Sequence, residues 1–141
     1  RMADVVYRQV VSRDASYQGR LEFLAATGSA DENYGIAADH MQQGEWDKAL
    51  ERLDQALSAD ASMGDAYNSR GVVLAKQKDY DGAYEMFEQA EGLMPDNPGV
   101  RINMAIIRYL QGRRHEAALI YQQAVRLNNR YEGFLDFLAD E

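Results

Sequence analysis

The chain has 141 residues, 46% of them apolar, and 23 acidic against 15 basic side chains give a formal net charge of -8. That size suits one folded unit with a continuous core, and the acidic balance opposes non-specific binding to phosphate backbones. The absence of cysteine excludes disulfides, thiolate metal sites and cysteine nucleophiles, and it leaves both cytosol and periplasm open.

The first predicted elements are two amphipathic helices, over 3–14 and 17–27. Residues 17–25 read YQGRLEFLA and residues 131–139 read YEGFLDFLA. The likeness extends upstream, where Ala3, Tyr7, Gln9 and Val11 recur as Ala117, Tyr121, Gln123 and Val125. Residues 1–29 therefore read as an N-terminal helical hairpin or partial repeat. The expectation is that they cap an array or end an upstream one, and the opening at Arg1 in mid-pattern favours a fragment or processed chain.

From residue 30 the sequence repeats. The phrases DKALERLDQAL at 47–57, DGAYEMFEQAEGL at 81–93 and HEAALIYQQAVRL at 115–127 share one pattern. Ala49, Ala83 and Ala117 stand 34 residues apart, and Leu53, Phe87 and Tyr121, then Ala56, Ala90 and Ala124, keep the same step. A strict period of this length is the mark of stacked supersecondary units. It divides the chain into 30–63, 64–97 and 98–131, each predicted to be a helix A followed by a helix B. Gly44 and Gly112 fall where helix A must end, Asp79 is placed to cap the second helix B, and Pro95 and Pro98 bracket the break before the third unit. The alanines allow close approach of the two helices, and the large residues between them fill the remaining gaps. Residues 132–141 read as a C-terminal capping helix whose Phe134, Leu135, Phe137 and Leu138 need burial.

With this period and these residues the chain resembles the tetratricopeptide repeat family, whose pattern runs W-x2-L-G-x2-Y, A-x3-F and a later P. The second unit matches through Tyr67, Gly71, Leu74, Ala83, Phe87, Ala90 and Pro95, and departs at Arg70. The first supplies Ile36, Ala37, Gly44, Trp46, Ala49, Leu53 and Ala56, but has Asn33, His40 and Ala61 where a large apolar residue, an aromatic and a proline are usual. The third supplies Met104, Ala105, Gly112, Ala117, Tyr121 and Ala124, with Arg101, Arg108 and Asn129 as departures. The resemblance implies an all-α, right-handed α-solenoid of antiparallel helix pairs: three full 34-residue units with an N-terminal helical hairpin and a C-terminal capping helix.

It also implies a partner-binding groove lined by the A helices. Carried onto this sequence, the groove positions fall on Tyr34, Ala38 and Met41, then Asp65, Asn68, Val72 and Ala75 with Lys76 just beyond, then Ile102, Ile106 and Tyr109. Some members grip a terminal carboxylate with groove lysines, asparagines and arginines. The matching positions here are Tyr34, Ala38, Ser69, Gly99 and Asn103, so that clamp is essentially absent. Ile102, Ile106 and Tyr109 are spaced to share one helix face, which is either open to a partner or covered by the chain's own terminal helices.

Catalytic signals are lacking. His40 and His115 lie in no metal-ligand pattern, the carboxylates fall at helical spacings that solvation or ion pairing explains, and no phosphate loop, nucleophile elbow or dinucleotide fingerprint occurs. Most aromatic residues sit on repeat core positions, which argues against stacking on nucleic acid. No apolar run is long enough to span a bilayer. The expectation is a non-catalytic protein–protein interaction module, without cofactor or metal, that takes an apolar or amphipathic segment of a protein or peptide partner. Two alternatives stand beside it: a scaffold self-assembling end to end through its terminal helices, and, more remotely, the regulatory portion of a larger enzyme.

Overall fold

The computed structural model describes residues 29–133 and 135. The predicted hairpin over 1–29, Ser29 excepted, and most of the predicted helix over 132–141 lie outside the described residues. Those described form six α-helices and a 3-10 turn, with no strand: α1 Ala30–Gln42, α2 Trp46–Ala59, α3 Gly64–Lys76, α4 Tyr80–Leu93, α5 Pro98–Leu110 and α6 Arg114–Leu127, followed by Asn129–Tyr131. The all-α architecture of consecutive helix pairs is the one the 34-residue period predicts.

The A helices α1, α3 and α5 end in the same way. The backbone is left-handed at Gly44 (φ 74°), Lys78 (φ 66°) and Gly112 (φ 80°), three positions one repeat apart. The next residue then reaches back to an orphan carbonyl of the last turn: Glu45 N–H to His40 O at 2.9 Å, Asp79 N–H to Leu74 O at 2.9 Å, and Arg113 N–H to Arg108 O at 2.8 Å. This Schellman closure satisfies the helix end and turns the chain toward helix B. Two of the three sites carry glycine, as the conformation favours. The third carries lysine, and it was not legible as a left-handed position.

Helix starts are capped by side chains where the sequence supplies them. Ser29 Oγ accepts from Glu32 N–H at 3.3 Å, Asp79 Oδ1 accepts from Gly82 N–H at 3.0 Å as expected, and Asn97 Oδ1 accepts from Gly99 N–H at 2.9 Å with Pro98 in the first turn of α5. Each cap satisfies a donor that the helix itself cannot.

The chain divides into two compact units between Ala66 and Tyr67, in the first turn of α3. In the first, Ala49, Leu53 and Ala56 of α2 are buried, as are Gly35, Ile36 and Ala37 of α1. Asn33 is also buried, at 2% exposure. Its amide is accommodated rather than stranded: Nδ2 donates to Ser29 O at 3.2 Å, and Oδ1 accepts from Arg52 at 3.4 Å. A buried amide is tolerated only when it is bonded in this way.

In the second unit α5 is buried on two faces, which explains its high apolar content. Val100, Met104 and Ile107 pack with Ala83, Phe87 and Ala90 of α4. Ile102 and Ala105 pack with Ala117, Ala118, Tyr121 and Ala124 of α6 and with Leu135. Tyr121 donates its hydroxyl to Tyr131 O at 3.0 Å, tying the 3-10 turn to α6. Arg108, a departure from the expected aromatic, lays its guanidinium 3.5 Å from the centroid of the Tyr84 ring and bonds Gln111 at 2.8 Å, so a cation–π contact takes the place of aromatic packing.

Candidate partner-binding groove

Within the second unit, α3 and α5 flank a groove of about 310 Å³. Val72, Ala75 and Lys76 line it from α3, and Asn103, Ile106, Ile107 and Leu110 from α5, while Phe87 of α4 contributes from below the two A helices. The local sequence explains the depth. Gly71 has no side chain, and a Cβ built there would lie 2.5 Å from Phe87 Cε1, so the phenyl ring rises into the space between the helices. Beside the groove Asn103 Nδ2 donates to Asn68 Oδ1 at 3.0 Å, joining α5 to α3. The walls are therefore mainly aliphatic and aromatic, with one amide and one ammonium group. That composition suits an apolar side chain better than a polar small molecule.

Of the predicted groove residues, Val72, Ala75, Lys76 and Ile106 line this space, and Asn68 bonds to the lining residue Asn103. Tyr109, one turn along the same face of α5 as Ile106, is 39% exposed. Ile102 lies elsewhere: at 4% exposure it belongs to the α5–α6 core with Leu135. The stripe is thus graded: Ile102 lies inside the protein, Ile106 is partly buried against the same α5–α6 core, and Tyr109 is exposed. Tyr34, Ala38 and Met41 lie on α1 in the first unit, where each is partly buried.

Sequence reasoning missed Ile107, Leu110 and the contribution of Phe87. Leu110 carried a usable signal, because it stands one repeat after Lys76 and both line the groove. Phe87 was read as core alone, and its second role depends on the missing side chain at Gly71.

His40 Nδ1 lies 3.2 Å from Glu45 Oε1, and Lys48 Nζ lies 3.1 Å from Glu45 Oε2. These hydrogen bonds, that from His40 first, hold the Glu45 carboxyl below its ordinary value. The cluster joins the end of α1 to the start of α2. Among the described residues no group of three or more His, Cys, Asp or Glu is placed to hold a metal ion. None of the described helices is long and apolar enough to cross a membrane.

Two family models described as tetratricopeptide repeat match residues 34–98 and 74–137. The chain is 28% identical over 106 residues to BBSome complex member BBS4 of Bos taurus, covering 74% of this chain and 20% of that protein. It therefore spans about a fifth of that relative's length. Among solved structures, the first TPR of Spaghetti (RPAP3) bound to an HSP90 peptide superposes with a TM-score of 0.74 at 16% identity, covering 79% of this chain and 88% of that one. MamA superposes with a TM-score of 0.73 at 19% identity, covering 90% and 87%. Period, paired helices and family matches agree, and the chain belongs to the tetratricopeptide repeat family.

Proposed function

We propose that this chain is a non-catalytic interaction module that holds an apolar or amphipathic segment of a partner protein against α3 and α5. The observation that carries the reading is the apolar groove between these A helices, lined by Val72, Phe87, Ile106, Ile107 and Leu110. A concavity lined mainly by apolar side chains can seat an apolar side chain of a partner segment. The RPAP3 repeat that shares the fold was solved with a peptide bound, which supports the same use here. The working array is proposed to comprise 30–63, 64–97 and 98–131, with 132–141 closing its end.

Ile106→Asp places a carboxylate against the apolar wall and tests the reading directly. Peptides retained by the wild-type chain from a random 12-residue display library are expected to bind the variant at least about tenfold more weakly, since desolvating one unpaired charge costs well over 1.4 kcal/mol. Equal retention by a variant of unchanged melting temperature overturns the assignment. Light-scattering mass over a concentration series separates this reading from end-to-end assembly, and a monomer that retains peptides is the expected result.

A further inference from the structure

Lys76 is the one charged residue among those lining the groove, and it is exposed at the end of α3. Among the described residues its ammonium group has no ion-pair partner, whereas Lys48, Arg101, Arg108 and Arg113 each lie within ion-pairing distance of a glutamate. Other cations among the described residues, such as Lys78 and Arg126, also lack one, but Lys76 alone lines the groove. Here the lysine also borders an apolar concavity, where a charge pair is better shielded from solvent than on a flat surface.

Resting on the groove reading above, we infer that the site selects an acidic amphipathic segment: a large apolar side chain seated between Val72, Phe87 and Ile106, with an Asp or Glu within four residues of it pairing with Lys76. The volume of about 310 Å³ is at the small end of ligand clefts, and it suits one or two anchoring side chains rather than a whole folded element. Lys76 lies at the end of the groove formed by the last turn of α3. A carboxylate one helical turn, or a short extended step, from the anchor can reach it. The acidic protein repels an acidic segment at long range, so the pairing contributes to selection at contact and not to the rate of encounter.

The test is selection from an unbiased 12-residue peptide library on the wild-type chain, Lys76→Met, Lys76→Glu and Ile106→Asp, with thermal melts confirming that each variant folds. Wild type is expected to enrich peptides carrying Leu or Phe with Asp or Glu within four residues. Lys76→Met should keep the apolar anchors, lose the acidic preference, and bind the wild-type peptides about 5- to 20-fold more weakly, and Lys76→Glu should exchange that preference for Lys or Arg. Wild-type peptides with apolar anchors but no acidic bias would overturn the charge assignment and leave the groove reading standing. Peptides enriched equally on wild type and Ile106→Asp would remove the groove itself.

Discussion

Phe87 occupies the volume that a side chain at Gly71 would need, its Cε1 lying 2.5 Å from where a Cβ would stand. The contact lets α3 pass close to the Phe87 ring, which also lines the groove. Alanine at position 71 gains about 1 kcal/mol in helix propensity but collides with a buried ring, and overpacking of that kind costs about 1–3 kcal/mol. Gly71→Ala is therefore expected to lower the urea midpoint, and Phe87→Leu in the same chain to recover part of the loss. A raised midpoint in the single variant would refute the contact as the reason for glycine.

Lys78 is held at φ 66° where its counterparts are Gly44 and Gly112. A side chain in this region costs roughly 1–2 kcal/mol, while glycine loses more freedom on folding by about 0.5–1 kcal/mol. Lys78→Gly should stabilise the chain by on the order of 0.5 kcal/mol, read as a small rise in melting temperature. A fall would show that the lysine makes a compensating contribution.

The cap of α4 gives a coupled pair. Asp79→Ala removes the acceptor of the Gly82 N–H and should cost about 1 kcal/mol. A Cβ at Gly82 would lie 2.5 Å from Asp79 Oδ2, so Gly82→Ala should disturb the cap and offset its own propensity gain. On the Asp79→Ala background the same change is expected to stabilise. Additive effects in the double-mutant cycle would contradict this coupling.

The Glu45 cluster predicts a pH dependence. Its carboxyl is held below the ordinary value of 4.5, first by the His40 hydrogen bond and then by Lys48. A group with a depressed folded value contributes stability that is fully present above the unfolded value and is lost as pH falls through the folded one. Wild type should thus exceed Glu45→Gln in stability near neutrality, and the difference should shrink from about pH 4.5 downward. Because the group faces solvent, high salt should shrink it too. A Glu45 carboxyl titrating at or above 4.5 by NMR would remove the basis of the prediction.

The period was legible because the contacts that define it are short-range and need particular sizes. Ala49, Ala83 and Ala117 are fully buried, and so are Leu53 and Phe87, with Tyr121 nearly so. The glycines at 44 and 112 announced their turns, while the equivalent turn at Lys78 was hidden because a lysine gives no sign of left-handed backbone. Ile102 is a different case. Its spacing relates it to Ile106 and left two outcomes open, a groove position or cover by the chain's own C-terminal segment; its packing with α6 and Leu135 matches the second, and helical periodicity on α5 alone could not choose between them.

The buried amide of Asn33 also bears on how a repetitive chain avoids folding against itself in the wrong order. Its partner Arg52 has Met86 and Ile120 as its counterparts one and two repeats on. If α1 were to pair with α4 or α6 in place of α2, the Asn33 carbonyl would meet a thioether or an aliphatic side chain and lose its guanidinium donor. An unsatisfied buried acceptor costs about 1–3 kcal/mol. Among helices that share nearly identical alanine faces, the Asn33–Arg52 bond is therefore one polar contact that the copies of α2 do not offer to α1.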